Sequence, residues 1–225
     1  MIQHWPLYSE KLLNTLRRLT EVGLLSGTSG NISVCLRRDQ QEGLILITPS
    51  QRLYQSLKEE DLVLVDFEGV VIGGDLAPSS ETAVHLQIYK ARHDVNAVIH
   101  THSTYASVLA VSNTESLPIL DELVVRTGGG VRIAEYGLPG SLDLANKIVH
   151  ALAGRNVVLM KNHGLVGVGN TLEEVIQLCE LVERSSEVLV MSNLAGGPNL
   201  IPENGIKFGS EVYKKRFDLL SKGSH

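Results

Sequence analysis

Two short apolar runs, each followed by histidine, constrain the fold of this chain most strongly. The first covers residues 97–99 and leads into His100 and His102, and the second covers residues 157–160 and leads to His163. Runs of this length, rich in Val, Ile and Leu, are typical of strands buried in a sheet. Residues two apart on a strand point to the same side, so His100 and His102 are predicted to face one point.

These histidines form a pattern that indicates a metal site. Three imidazole nitrogens with one open position are the usual ligand set of a catalytic divalent metal, and imidazole accepts zinc, manganese, cobalt, nickel or iron. The alternative is three separate strand-end histidines with ordinary hydrogen bonds. We prefer the metal site because a His-x-His pair ends one apolar strand and His163, just before Gly164, ends another. Four other histidines are interpreted as structural or surface residues: His4, His85, His93 and His150.

Helical and strand patterns alternate along all 225 residues without a repeat or a linker, which predicts a single α/β domain over residues 1–225. The predicted helices cover residues 8–22, 80–92, 141–153, 171–193 and 210–221, and Ser141 is expected to cap the third. The predicted strands cover residues 32–36, 44–48, 62–66, 70–72, 96–101, 156–161 and 165–168. The apolar stretch 117–126 has no clear period.

Charge and composition argue against several partners. The net charge is −5 and Lys and Arg do not cluster, which argues against nucleic acid and anionic membrane surfaces. No apolar run is long enough to cross a bilayer, and the first residues do not resemble a signal peptide. Cys35 and Cys179 are too few and too far apart for a disulfide framework, so we expect a cytoplasmic protein.

Glu81 allows two interpretations. It falls in the first turn of a helix predicted to begin at Ser79 and Ser80, where an acid stabilises the helix dipole by about 0.3–1 kcal/mol. Alternatively, its carboxylate lies at the end of the sheet and reaches the metal or a substrate proton. The residue pattern alone leaves both interpretations open.

Three polar segments upstream of the histidines indicate an anion site. Hydroxyls, an amide and a glycine in residues 28–31 form a donor-rich loop of the kind that binds phosphate without net positive charge. Two serines at a helix start and a polar loop at residues 48–50 add further donors. The sequence therefore predicts a phosphorylated substrate, and the candidate binding residues are Thr28, Gly30, Asn31, Ser50, Ser79 and Ser80.

Taken in order, these motifs resemble the class II aldolase family, which includes fuculose-phosphate aldolase and ribulose-phosphate 4-epimerase. The motifs are Thr28-Ser29-Gly30-Asn31, Ile47-Thr48-Pro49-Ser50, Pro78-Ser79-Ser80-Glu81, His100-Thr101-His102-Ser103 and Asn162-His163-Gly164. The resemblance implies a three-layer α/β/α fold with a mostly antiparallel central sheet. It implies metal-dependent cleavage of a ketose 1-phosphate of the fuculose, ribulose or deoxyribulose type to dihydroxyacetone phosphate and an aldehyde. It also implies a homotetramer with active sites at subunit interfaces.

The resemblance also suggests roles for individual residues. His100, His102 and His163 resemble the three zinc ligands, with Mn²⁺ or Co²⁺ as possible replacements for Zn²⁺. Glu81 resembles a fourth ligand that substrate displaces and that then acts as a catalytic base. The phosphate binders of the family correspond to Gly30, Asn31, Ser79 and Ser80, with Thr28 beside them.

Two positions depart from the family pattern. The fuculose-phosphate enzymes usually have Thr-Pro-Thr-Gly where this chain has Thr48-Pro49-Ser50-Gln51, so we expect phosphate binding to differ where Gln51 brings a side chain in place of glycine. Glu122 stands where those enzymes carry a catalytic tyrosine from the neighbouring subunit, so we expect Glu122 to exchange the proton on the aldehyde side. Tyr213 is a weaker candidate for completing a neighbouring site.

Three other functions remain open within this resemblance. A methylthioribulose-1-phosphate dehydratase also uses three histidines and an acidic residue near position 122. A ribulose-5-phosphate 4-epimerase usually has aspartate where this chain has Glu81. The head domain of adducin shares the fold without the metal ligands, and the intact histidine set argues against this non-enzymatic function.

Overall fold

The computed structural model describes residues 5–38 and 43–222. Within them the helices are α1 (Trp5–Glu21), α2 (Thr82–Ala91), α3 (Thr104–Val111), α4 (Asp121–Thr127), α5 (Leu142–Ala151), α6 (Leu172–Leu194) and α7 (Glu203–Lys222). The strands are β1 (Asn31–Arg38), β2 (Gly43–Ile47), β3 (Val63–Asp66), β4 (Val71–Gly73), β5 (Ala97–Thr101), β6 (Ile133–Ala134), β7 (Val157–Met160) and β8 (Gly164–Gly169).

The strands of the described residues form one mixed sheet in the order β4-β3-β2-β1-β5-β8-β7-β6. Every neighbouring pair is antiparallel except β6 and β7, which run parallel. The predicted α/β class and mostly antiparallel sheet are therefore confirmed.

Two hydrophobic clusters pack against this sheet. The first contains buried residues of α1, α3 and α6, and the second contains buried residues of α2 and α5. Along β7 the side chains alternate between the clusters: Val157 and Leu159 belong to the first, and Val158 and Met160 to the second. This alternation follows from the two-residue period of a strand, and it explains why the apolar runs of the central strands are continuous.

The structure differs from the sequence-based assignment at several helices. Helix α3 has no counterpart among the predicted helices, and it begins directly after the His-x-His pair. Helix α4 begins within the stretch 117–126, for which the sequence showed no clear period. These helices have only 8 and 7 residues, too few to show a helical period or to be stable without tertiary packing. The last helix, α7, also begins earlier than predicted, at Glu203.

The sheet places the two histidine motifs side by side. His100 of β5 pairs with Asn31 at the start of β1 on one side and with Val166 of β8 on the other. The turn between β7 and β8 contains His163 and passes beside the end of β5, because Thr101 pairs with Leu165. Segments far apart in sequence thus meet at one end of the sheet. No helix in the described part of the chain has the length and apolar character needed to cross a lipid bilayer.

Candidate active site

The three predicted histidines converge at the end of β5. The nitrogens they offer all lie within 4.8 Å of one another, and the Nε2 atoms of His100 and His102 are 2.8 Å apart. His102 lies one residue beyond the end of β5 rather than on the strand. His163 sits in the β7–β8 turn, where Asn162 has a φ of 60°. Asparagine adopts this left-handed conformation more readily than most residues, so the turn forms without a glycine at that position.

The hydrogen bonding of His100 determines which of its two ring nitrogens is available to bind a metal. Its Nδ1 lies 2.9 Å from the carbonyl oxygen of Leu165, which can only accept a hydrogen bond. The Nδ1 therefore carries the proton and donates, and in the neutral ring Nε2 keeps its lone pair. This arrangement is the usual one for a metal-binding histidine, whose second nitrogen is oriented by a carbonyl or carboxylate.

Glu81 lies beside two of the three histidines. Its Oε2 is 3.0 Å from His100 Nε2, and its Oε1 is 3.5 Å from His163 Nε2. The residue occupies the N-cap position of α2, not the first helical turn, and its side chain makes no capping hydrogen bond. Of the two interpretations, the structure therefore favours the carboxylate that faces the histidines.

One oxygen of Glu81 has no hydrogen-bond partner among the described residues. The Oε1 atom is buried and, among the described residues, accepts no hydrogen bond. A buried carboxylate oxygen without a partner is costly, and such groups normally pair with a charge or bind a metal. Three imidazole nitrogens and this oxygen are a donor set that fits a divalent cation.

The electrostatics of the site favour a charged Glu81 carboxylate and neutral rings at His102 and His163. Burial acts to raise the pKa of Glu81, but His100, His163 and Asn31 together outweigh burial and hold this pKa well below its usual range. Loss of solvation, followed by the proximity of His100, lowers the pKa of His163, and the same causes lower that of His102 to about 4. At neutral pH the two imidazoles therefore retain lone pairs while Glu81 stays ionised.

The segments predicted to bind phosphate lie next to one another. Thr48 joins them: its N–H donates to the Ile32 carbonyl (3.1 Å), and its carbonyl accepts from the Ser79 N–H (3.0 Å). The Ser50 N–H donates to the Ala77 carbonyl at 2.9 Å. Loops 48–51 and 77–81 are thus linked to each other and to the residue that follows loop 28–31, and Gly30 of that loop lies against the His100 backbone.

The predicted phosphate binders differ in their accessibility. Thr28 and Ser80 are exposed, Gly30 and Ser50 are partly exposed, and Asn31 and Ser79 are buried. Gly30 has a φ of 85°, and a Cβ there would lie 2.5 Å from the carbonyl oxygen of His100. Glycine is therefore required where this loop passes against β5.

Gln51, which stands where the family pattern has glycine, adopts a backbone conformation that glycine favours. Its φ is 54°, in the left-handed region, and its side chain is exposed. The departure noted in the sequence therefore adds an exposed side chain at a left-handed position of this loop.

Glu122 does not meet the histidines within one chain. It lies on α4 with 62% of its side chain exposed, and its carboxylate pairs with Arg184 of α6. Among the described residues it forms no hydrogen bond or ion pair with Glu81 or the three histidines. Tyr213 is 5% exposed, and burial raises the pKa of its hydroxyl to about 12.

Sequence reasoning missed part of the site. Of the two interpretations given for His85, structural or surface, the structure supports the first: His85 is buried completely and contacts Asn31 and Ser33, although its link to Glu81 through Asn31 was not foreseen. The spacing of Glu81, His85 and Tyr89, each four residues apart, places them along one face of α2 and could have indicated this arrangement. His93 and His150 are exposed, as expected, and His4 lies outside the described residues.

Gly164 allows the three histidines to approach one another, and we expect Gly164→Ala to disturb the site. A Cβ there would overlap the Thr101 carbonyl oxygen and lie 3.2 Å from His100 Cε1 and 3.3 Å from His102 Cδ2. We expect a loss of roughly 1–3 kcal/mol in the free energy of unfolding, as for other overpacked sites, and weaker Zn²⁺ binding in calorimetric titration.

Gly154→Ala is the matched control for that substitution. Gly154 has a φ of 67° and open space around its Cβ position, so alanine there brings backbone strain but no contact with the histidines. We expect lower stability with unchanged Zn²⁺ affinity. Equal Zn²⁺ affinity in Gly164→Ala and the wild type would contradict the proposed role of Gly164.

An eight-stranded mixed sheet with three histidines and a buried glutamate at one end defines an α/β protein built around a candidate metal centre. The sequence profile described as "Class II Aldolase and Adducin N-terminal domain" matches residues 10–190. The chain therefore belongs to the class II aldolase and adducin family.

Individual relatives agree with this assignment. The chain is 35% identical over 195 residues to a 5-deoxy-D-ribulose 1-phosphate aldolase of Bacillus thuringiensis serovar kurstaki, covering 87% of this chain and 90% of the relative. It is 34% identical to a 5-methylthioribulose-1-phosphate/5-deoxyribulose-1-phosphate aldolase of Rhodospirillum rubrum, covering 90% and 89%. A solved structure of an L-fuculose 1-phosphate aldolase superposes with a TM-score of 0.86 at 34% identity, covering 92% of this chain and 96% of that one.

Proposed function

We propose that the protein is a metal-dependent class II aldolase that cleaves a ketose 1-phosphate to dihydroxyacetone phosphate and an aldehyde. The observation that carries the proposal is the convergence of three imidazoles on a buried carboxylate whose Oε1 has no hydrogen-bond partner among the described residues. Relatives named as ketose-phosphate aldolases over about nine tenths of the chain support it.

The metal would be held by His100, His102 and His163, with Glu81 as a fourth ligand before substrate binds. Zn²⁺ is the first candidate because it favours three nitrogen ligands and an open position, and Mn²⁺ and Co²⁺ are the alternatives. Such a cation would act as a Lewis acid that stabilises negative charge developing on the substrate oxygens.

Glu81 is the proposed catalytic base. Its pKa lies below the usual range, so its carboxylate is ionised at neutral pH and able to accept a proton. Its Oε1, which has no hydrogen-bond partner among the described residues, is the proposed acceptor of the C3 proton of dihydroxyacetone phosphate in the condensation direction. In the cleavage direction Glu81 gives this proton back to C3 of the three-carbon fragment as the C3–C4 bond breaks, and the C4 hydroxyl proton leaves to the group on the aldehyde side.

Glu122 is the proposed proton carrier on the aldehyde side. Because it is exposed and pairs with Arg184 instead of Glu81 or the histidines of its own chain, we propose that it acts on the site of a neighbouring copy. This arrangement requires an oligomer, and a homotetramer with interfacial sites is the proposed assembly. We also propose that the protein is located in the cytoplasm.

The joined loops 28–31, 48–51 and 77–81 are the proposed phosphate site. Thr28, Gly30, Ser50 and Ser80 are at least partly exposed there and offer hydroxyl and backbone donors. Ser79 is buried, its hydroxyl accepts the Glu81 N–H at 3.3 Å and its own N–H donates to Thr48, so its proposed part is to hold the loop in place rather than to contact phosphate through its backbone. For the fold as a whole, we also propose a three-layer α/β/α arrangement, in which one hydrophobic cluster lies on each side of the sheet, between the strands and a layer of helices.

A substrate panel tests the proposal. We expect the purified protein loaded with Zn²⁺ to release dihydroxyacetone phosphate, measured with a coupled reductase, from 5-deoxy-D-ribulose 1-phosphate, the substrate named in two relatives. We expect kcat/KM for this sugar to exceed that for L-fuculose 1-phosphate by about tenfold or more, the discrimination that one differing substituent typically gives.

The products distinguish the other candidate functions. A dehydratase would convert methylthioribulose 1-phosphate to a diketone, and an epimerase would yield only a C4 epimer without releasing dihydroxyacetone phosphate. Failure to release dihydroxyacetone phosphate from any ketose 1-phosphate, with metal bound, would reject the aldolase assignment.

A further inference from the structure

We propose that Asn31, His85, Ser33 and Tyr89 form a buried relay of hydrogen bonds that positions the Glu81 carboxylate. His85 is the central positioning residue of this relay, because it holds the Asn31 amide in the orientation that donates to Glu81. The catalytic consequence rests on the proposed function, in which Glu81 is the base. The relay itself is a structural property that can be measured without substrate.

The relay runs from Glu81 between β1 and α2. Asn31 Nδ2 donates to Glu81 Oε2 at 3.0 Å, and Asn31 Oδ1 lies 2.5 Å from His85 Nε2. On the other side of the ring, His85 Nδ1 lies 2.6 Å from Ser33 Oγ. The Tyr89 hydroxyl lies 2.8 Å from Ser33 Oγ and donates to the Ser33 carbonyl at 3.0 Å.

The three links from Glu81 to Ser33 each have only one chemically consistent direction. A carboxylate only accepts, so the Asn31 NH₂ must face Glu81 and the Asn31 carbonyl must face His85. His85 therefore carries its proton on Nε2, and its Nδ1 accepts from the Ser33 hydroxyl. Burial lowers the pKa of His85 to about 3, so the ring is neutral with this single N–H at physiological pH.

The scaffold makes this arrangement rigid. Asn31 and Ser33 are two residues apart on β1, and Glu81, His85 and Tyr89 are four apart at the start of and along α2, so one face of each element supplies the contacts. All four relay residues are buried: Asn31 is 4% exposed, and Ser33, His85 and Tyr89 are 0% exposed. Water therefore cannot readily replace a lost link.

The relay differentiates the two oxygens of Glu81. Oε2 is held by Asn31, while Oε1 has no hydrogen-bond partner among the described residues. Without the His85 N–H, the Asn31 amide could rotate and turn its carbonyl towards the carboxylate, which would repel it. We infer that His85 prevents this rotation and so keeps Oε1 directed at the substrate.

Kinetics of His85→Leu and His85→Gln provide the first test. We expect His85→Leu to retain its metal by elemental analysis and to keep KM within about twofold, while kcat falls about 10–100-fold, as is typical when a residue that orients a metal ligand is lost. His85→Gln, whose side chain can still donate to Asn31 Oδ1, should recover most of that loss. Equal kcat in His85→Leu and the wild type would overturn the proposal.

A double-mutant cycle separates positioning from a general structural effect. In the Glu81→Gln background, His85→Leu should lower the residual kcat by less than about twofold, because the carboxylate that it positions is already gone. The same fold loss in both backgrounds would mean that His85 acts only through stability, and would overturn the proposal. If His85→Leu does not fold, Ser33→Ala takes its place in the cycle.

Nitrogen NMR tests the relay independently of activity. In metal-free protein labelled with ¹⁵N-histidine, His85 should show a protonated Nε2 and an unprotonated Nδ1 from pH 6 to pH 8. This result in a protein that cleaves no ketose phosphate would support the relay and reject the proposed function. The opposite tautomer, or a doubly protonated ring, would overturn the relay whatever the activity.

Discussion

Replacing His163 with alanine is expected to remove the divalent metal and to lower kcat/KM for ketose 1-phosphate cleavage by about a thousandfold or more. Among the described residues, His163 supplies one of three imidazoles that converge on the site, and the two that remain, His100 and His102, leave an incomplete ligand set. A Lewis acid contributes several kcal/mol to stabilisation of the transition state, and each 1.36 kcal/mol corresponds to about tenfold in rate. Elemental analysis and the dihydroxyacetone phosphate assay measure both effects.

The position of His163 makes it the most informative of the three for this test. It lies in a turn with 16% of its side chain exposed, whereas His100 is buried within β5 and also bonds to Leu165. Truncation at His163 should therefore leave the fold intact. His150→Ala, on the exposed side of α5, is the matched control and should keep metal and activity. Normal metal content in His163→Ala would contradict the proposed ligand set.

Glu81→Gln is expected to separate metal binding from chemistry. The substitution keeps the shape of the side chain and an oxygen that can accept from Asn31, but removes the group that takes up a proton. With three histidines still present, we expect bound metal to remain while kcat falls about 10²–10⁴-fold, the range for loss of a general base. Metal content, KM and kcat of the same preparation provide the measurement.

The matched control for this substitution is Glu10→Gln, an exposed position on α1, which should behave as the wild type. If Glu81→Gln cleaved substrate at the wild-type rate with metal bound, another group would have to serve as the base. Loss of metal together with activity would instead mean that Glu81 is needed as a ligand, and its assignment as the base would then lose this support.

Much of the fold could be predicted because the relevant signals are local. The apolar runs of β5 and β7 have the length and composition of buried strands, and Ser141 caps α5 as predicted, with its hydroxyl accepting the Leu144 N–H at 3.1 Å. The short helices α3 and α4 could not be predicted in this way, because their stability comes from packing against distant elements such as α6 and α7.

In the candidate site, too, the features that depend on nearby residues could be predicted, and those that depend on distant residues could not. The spacing of His100 and His102, followed by a second strand that leads to His163, predicts three imidazoles near one point. The orientation of Glu81 could not be derived, because it depends on Asn31, which is 50 residues away in sequence. The role of His85 was missed for the same reason, since its contacts with Asn31 and Ser33 join α2 to β1.

The sequence by itself determined every strand except the two-residue β6, together with the identity of the metal-ligand candidates and the polar loops, because strand period and side-chain chemistry act over a few residues. Only the tertiary structure decided which groups meet: it turned Glu81 towards His100 and His163 and buried His85 behind Asn31. The physical reason is that burial removes water as an alternative partner. The hydrogen bonds of each polar group then depend on neighbours that sheet pairing and helix packing bring from elsewhere in the chain.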